Sequence, residues 1–140
     1  MKQIIALITV LTALLLPLRE GSRGRVIARR YVRLRYQRTT AEGMPMGREY
    51  RSFIWRGAIL ECGHYWGVPD PFGSLTGDER MSAYDLATRA VARLPVPYVA
   101  LDVGQRETGE WIVIEANDAQ FSGLGAIPVL SLWSKLATCR

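Results

Sequence analysis

Histidine and lysine are nearly missing from this chain of 140 residues: His64 stands alone, and Lys2 and Lys135 are the only lysines. The two cysteines, Cys62 and Cys139, lie far apart, and no CxxC occurs. A Cys/His zinc site needs about four ligands, and only three candidate side chains exist. A Ser-His-Asp or Cys-His nucleophile pattern is likewise absent, so a protein nucleophile is not expected. No apolar run reaches the roughly 20 residues of a membrane span, and no repeat or low-complexity tract interrupts the chain.

What is present is arginine. It supplies nearly all of the 18 Lys+Arg, against 13 Asp+Glu, for a net charge of +5. Its planar fork suits phosphate and carboxylate, so the balance permits an anionic ligand without naming one. Hydrophobic content of 49% and charged content of 22% are those of a globular chain. The length fits one domain, 1–140.

The apolar run Ile4–Leu16 follows Lys2 in the manner of a secretory leader, but no small-x-small cleavage site comes after it. Ile4, Leu7, Ile8, Leu11, Leu14 and Leu15 recur at helical spacing, and a buried helix is the favoured expectation. So apolar a helix needs cover on most faces, which hints at missing partner structure. A strand is expected from Arg25 to Leu34, and a loop from Thr39 to Gly47. Glu49–Trp55 and Ala58–Trp66 flank Arg56-Gly57 and read as a β-hairpin. Gly67–Asp78 is expected to be loop, then Ser82–Leu94 a helix with Ser82 as its cap, ended by Pro95 and Pro97. Tyr98–Val103 and Trp111–Asn117 form a second hairpin around Glu107-Thr108-Gly109, and Pro128–Ala137 a closing helix. The order predicts an α+β fold, an antiparallel β-sheet of hairpins with packed helices.

Asp102 and Glu115 each sit within an apolar strand, where a carboxylate is costly unless paired or bound to a cation. Counting from the turn places them opposite each other, where like charges repel and a divalent cation reverses the sign. Alternation puts Asn117 on the same face as Glu115. The three make an all-oxygen set suited to Mg²⁺, with a solvated sheet face as the alternative.

An acidic residue on one strand followed by Glu-x-Asn on the next resembles the metal triad of the ATP-grasp enzymes, and residues 98–118 look like a full match to that hairpin. Arg48–Ile59 resembles the preceding hairpin of that family, whose basic residues approach the nucleotide phosphates. Val26–Val32 resembles the hinge strand that contacts adenine. The abundance of arginine and the Arg-Glu-Tyr-Arg pattern at 48–51 look like the R2K clade. The resemblance spans about residues 4–136 and implies the carboxy-terminal, metal-binding lobe of an ATP-grasp fold, with the earlier lobe absent or supplied by a partner chain. It implies ATP and Mg²⁺ (or Mn²⁺) as cofactors, held by Asp102, Glu115 and Asn117. It makes Arg51 the first phosphate contact and the catalytic cation, Arg48 the second, and Arg29 a nucleotide contact. Arg51 pairing with Glu49, two residues away on one strand face, is the alternative.

The implied activity is a cytoplasmic ligase joining a carboxylate to an amine or thiol through an acylphosphate. The rival expectations are a non-catalytic nucleotide- or protein-binding remnant and a small secreted basic protein. A nucleic-acid binder ranks below these, because Tyr31, Arg33, Arg35 and Tyr36 offer only a partial aromatic-and-basic face. His64, Tyr65 and Trp66 could line a pocket or simply finish a strand. Asp118, Gln120 and Ser122 could meet the acyl substrate or form a polar loop, and Gly123 and Gly125 could turn backbone amides toward phosphate or equally serve as turn residues.

Overall fold

Alternation of polar and apolar residues in two stretches, 49–66 and 98–118, builds the sheet that organises this protein. A computed structural model describes residues 30–41, 43, 45–67 and 69–139. The helix expected over 4–16, the first half of the strand expected from Arg25, and Arg29 lie outside the described residues. The unit that begins at Val32 contains every element below.

In chain order these are β1 (Tyr36–Thr39), β2 (Pro45–Gly47), β3 (Glu49–Trp55), β4 (Ala58–His64), α1 (Gly77–Val91), β5 (Tyr98–Gln105), β6 (Trp111–Asp118) and α2 (Val129–Thr138). β1 and β2 pair as a short antiparallel ribbon. The main sheet has the order β4-β3-β5-β6, antiparallel throughout. The expected α+β architecture is therefore the one observed, and it is consistent with an ATP-grasp carboxy-terminal lobe.

Both hairpins form where their turn residues sit. Arg56 and Gly57 both adopt positive φ, at 46° and 85°, the geometry a two-residue turn needs to match strand twist. Three boundaries differ from expectation. Of the described residues in the strand expected to end at Leu34, only Leu34 pairs, as an isolated bridge to Arg106. The strand proper starts at Tyr36, and its partner β2 lies inside the stretch expected to be loop. A three-residue strand led by Pro45 is too short to show a period, and Pro is tolerated because the ribbon is an edge.

α1 begins at Gly77, not at Ser82. Its cap is Thr76, whose hydroxyl accepts from the Glu79 amide while the Glu79 carboxylate accepts from the Thr76 amide. Gly77-Asp-Glu-Arg carries no apolar residue, which hides the first turn from a periodicity reading.

The two central strands are buried almost throughout. On one face Tyr50, Ile54, Val99, Leu101, Val103 and Trp111 pack against Ala83, Ala87 and Val91 of α1. On the other, Phe53 and Ala100 pack against Ala119, Ile127 and Leu132. Burying a side chain the size of Phe53 stabilises by about 1.5–3 kcal/mol. A sheet covered on both faces leaves no wet surface in the middle of β5. Among the described residues no helix is long and apolar enough to cross a membrane.

Candidate functional site: a row of charge across the sheet

Direct cross-strand partners line up Gly63, Arg51, Asp102 and Glu115 in one row over β4, β3, β5 and β6. Arg51 grips Asp102 with both arms of its fork: Nε donates to Oδ1 at 2.8 Å and Nη2 to Oδ2 at 2.7 Å. The same Nη2 is 3.7 Å from Glu115 Oε1. Asn117 Nδ2 donates to that Oε1 at 2.7 Å. Asp102, Glu115 and Asn117 therefore share one face, that of α2, and their exposure grades sharply. The Asp102 side chain is 0% exposed and the Glu115 side chain 47%.

A β-bulge makes this alignment possible. Gln105 pairs with Trp111 and Val103 with Val113, which centres the turn on Thr108. Regular pairing would then bring Ile114 opposite Asp102. Ile114 instead bulges out, the register shifts between Asp102 and Val103, and Glu115 takes the place. The shift carries Glu115 and Asn117 to the side of the sheet opposite Trp111.

The site is roofed by the chain after β6. Arg51 Nη1 donates to the Gly123 carbonyl at 2.8 Å, and its guanidinium carbon lies 4.7 Å from the centre of the Tyr65 ring. The Ala126 amide donates to the His64 carbonyl at 2.8 Å. Gly125 between them has φ 61°, and a Cβ there would come within 2.7 Å of the carbonyl oxygens of both His64 and Tyr65. Gly123 thus offers the site its carbonyl and not its amide, and Gly125 serves a turn, the second of the two readings left open for this pair. Tyr65 diverges from its neighbours His64 and Trp66. His64 is buried edge-on to Tyr50 at 5.5 Å, and Trp66 donates its indole N–H to the Gly47 carbonyl.

Burial pushes the Asp102 carboxyl above its ordinary range, with Arg51 pulling against it. The hydrogen bond from Arg51 to Asp102 outweighs desolvation of the guanidinium and holds it more firmly protonated than usual.

Arg48 is not part of this row. It is 1% exposed and faces α1 on the other side of the sheet. There Nε donates to Asp70 at 2.7 Å, and Nη1 donates to Glu79 and to Gln105, each at 2.6 Å. Arg51 does not depend on Glu49; its partner comes from β5. Asp118 and Gln120 border a cavity of about 440 Å³ with Val96 and Tyr98 at the end of β6.

Residues 2–136 match the family described as ATP-grasp domain, R2K clade family 3. The chain belongs to the R2K clade of ATP-grasp domains. No curated protein and no solved structure matches it. ATP-grasp domains bind ATP together with Mg²⁺ or Mn²⁺. The donor chemistry here fits such an ion: two carboxylates and a carboxamide, all oxygen donors, on one face of adjacent strands. Among the described residues no group of three or more His, Cys, Asp or Glu gathers.

Proposed function

We propose that this ATP-grasp domain is an ATP-dependent ligase that joins a carboxylate to an amine or thiol through an acylphosphate, working in the cytoplasm. Asp102, Glu115 and Asn117 hold Mg²⁺ (or Mn²⁺), and Arg51 serves the nucleotide phosphates. The observation that carries this reading is the direct pairing of Asp102 with Glu115 in the sheet, Asn117 beside them and Arg51 on the same face.

The reaction needs the γ-phosphoryl group presented in line to a carboxylate, which makes catalysis largely positioning and charge neutralisation. The bound divalent ion supplies the larger share of that neutralising charge. The chain's own part is to keep the carboxylates on one face, through the bulge at Ile114 and the packing of β5. Arg51 adds a guanidinium that rests against Asp102 and the Tyr65 ring, and it stays charged at any working pH. The covered sheet and the 119–127 roof keep water from Asp102, so charges there act at low dielectric. Arg48 is spent on Asp70, Glu79 and Gln105, and we assign it to the framework instead of the phosphates.

Glu115→Ala tests the reading, since Glu115 is half exposed and its loss should leave the fold standing. Titration of the variant with ATP and Mg²⁺ should show at least a tenfold loss of Mg²⁺-dependent affinity. Equal affinity in variant and parent, with both folded, sinks the proposal.

A further inference from the structure

The bidentate grip of Arg51 on Asp102 leaves one atom in an informative place. Nη2 is 2.7 Å from Asp102 Oδ2 and 3.7 Å from Glu115 Oε1, so it lies between the two carboxylates. A divalent cation held by the same two carboxylates would compete with it. Asp102 has no exposed surface, and both its oxygens are engaged by the one guanidinium. An ion arriving from the solvent side, past Glu115 and Asn117, would meet Nη2 before it met Asp102.

We infer that Arg51 is the resident counter-ion of Asp102, and that a divalent cation enters the site by exchanging with its guanidinium. This rests on the metal site proposed above and adds a competition within it. The buried carboxylate needs a positive partner at all times. Arg51 is that partner when no ion is bound, and the ion takes over when it enters. The displaced guanidinium is then free to meet a phosphate, so ion entry and phosphate capture become one coupled event. Two further contacts hold Arg51 in its resting place, the carbonyl of Gly123 and the face of Tyr65. Tyr65 is thus a positioning residue, acting through Arg51.

Mn²⁺ alone, without nucleotide, is the discriminating probe, titrated into the whole chain and followed by calorimetry or by the spin-resonance signal of free Mn²⁺. Removing the competitor in Arg51→Met should tighten Mn²⁺ binding about tenfold or more, the scale of lost charge-assisted hydrogen bonds. Tyr65→Leu, which leaves the ion pair in place, should tighten it about two- to fivefold, the scale of a cation–π contact. Adding Glu115→Ala should abolish either gain. Unchanged or weaker Mn²⁺ binding in a folded Arg51→Met, while Glu115→Ala still abolishes binding in the parent, overturns the exchange and leaves the metal site standing. Mn²⁺ binding indifferent to Glu115→Ala, with or without ATP, overturns both. Should Arg51→Met not fold, Tyr65→Leu decides by the same criteria.

Discussion

Arg48 and Arg51 belong to one stretch of chain, both are buried, and both pair with carboxylates, but they look out from opposite faces of the sheet. Arg48 meets Asp70 and Glu79, whose side chains are 3% and 22% exposed, and it is further braced by Gln105. Its partners come from the 66–76 loop, from α1 and from β5, so the guanidinium ties three parts of the fold together. Arg51 meets Asp102, which is fully buried, but the row then runs on to Glu115, which water reaches. The same side chain in the same kind of pair reads as framework where its carboxylate partners are mostly covered, and as a candidate site where one partner is about half exposed. Burial of an arginine does not separate the two cases. The exposure of the second carboxylate does.

That contrast can be broken most forcefully from the framework side. Arg48→Met leaves Asp70 buried without its cation and should cost about 3–5 kcal/mol of stability, read by denaturant melting. A loss below about 1 kcal/mol would mean the α1-face cluster is not the anchor described. Next in size is the roof of the other face. Gly125→Ala forces a side chain into a left-handed conformation and against two backbone carbonyls, for about 2–3 kcal/mol.

Acid sharpens the comparison further. The hydrogen bond from Arg48, chiefly, pulls the Glu79 carboxyl from 4.5 to about 2. Burial pushes Asp70 up, but Arg48, the Phe72 amide and the Tyr50 hydroxyl outweigh it and hold it low. A carboxyl depressed on folding stabilises above its unfolded value and loses that contribution as pH falls. The melting temperature should therefore drop between about pH 4.5 and pH 2, with a shallower slope in Glu79→Gln. Equal slopes in variant and parent would remove Glu79 from the account. The smallest effect separates two caps: Thr76→Ala should cost about 1 kcal/mol and Ser82→Ala less than about 0.5.

The hairpins were legible because their strands alternate and their turns carry glycine at positions of positive φ. The two described helices were legible as elements, with α2 placed within a residue and the start of α1 missed by five residues behind a charged, glycine-led opening. β1 and β2 were not legible, being too short for any period to show. The pairing of Asp102 with Glu115 could be anticipated, but through a count that places the turn half a residue late; the bulge at Ile114 makes up the difference. The partner of Arg51 could not be read at all. Asp102 is 51 residues away in sequence, and only the antiparallel contact of β3 with β5, two strands from different hairpins, brings them together. Local spacing offered Glu49 instead.

The bulge has a consequence beyond aligning side chains. β6 comes last in the order of the four strands, and the extra residue at Ile114 raises the local right-handed twist of the strand. Excising Ile114 would keep the glutamate opposite Asp102 in ordinary pairing, so the irregularity is dispensable for the count of residues. What it adds is twist, which turns the end of β6 that carries Glu115 and Asn117 relative to the end that carries Trp111.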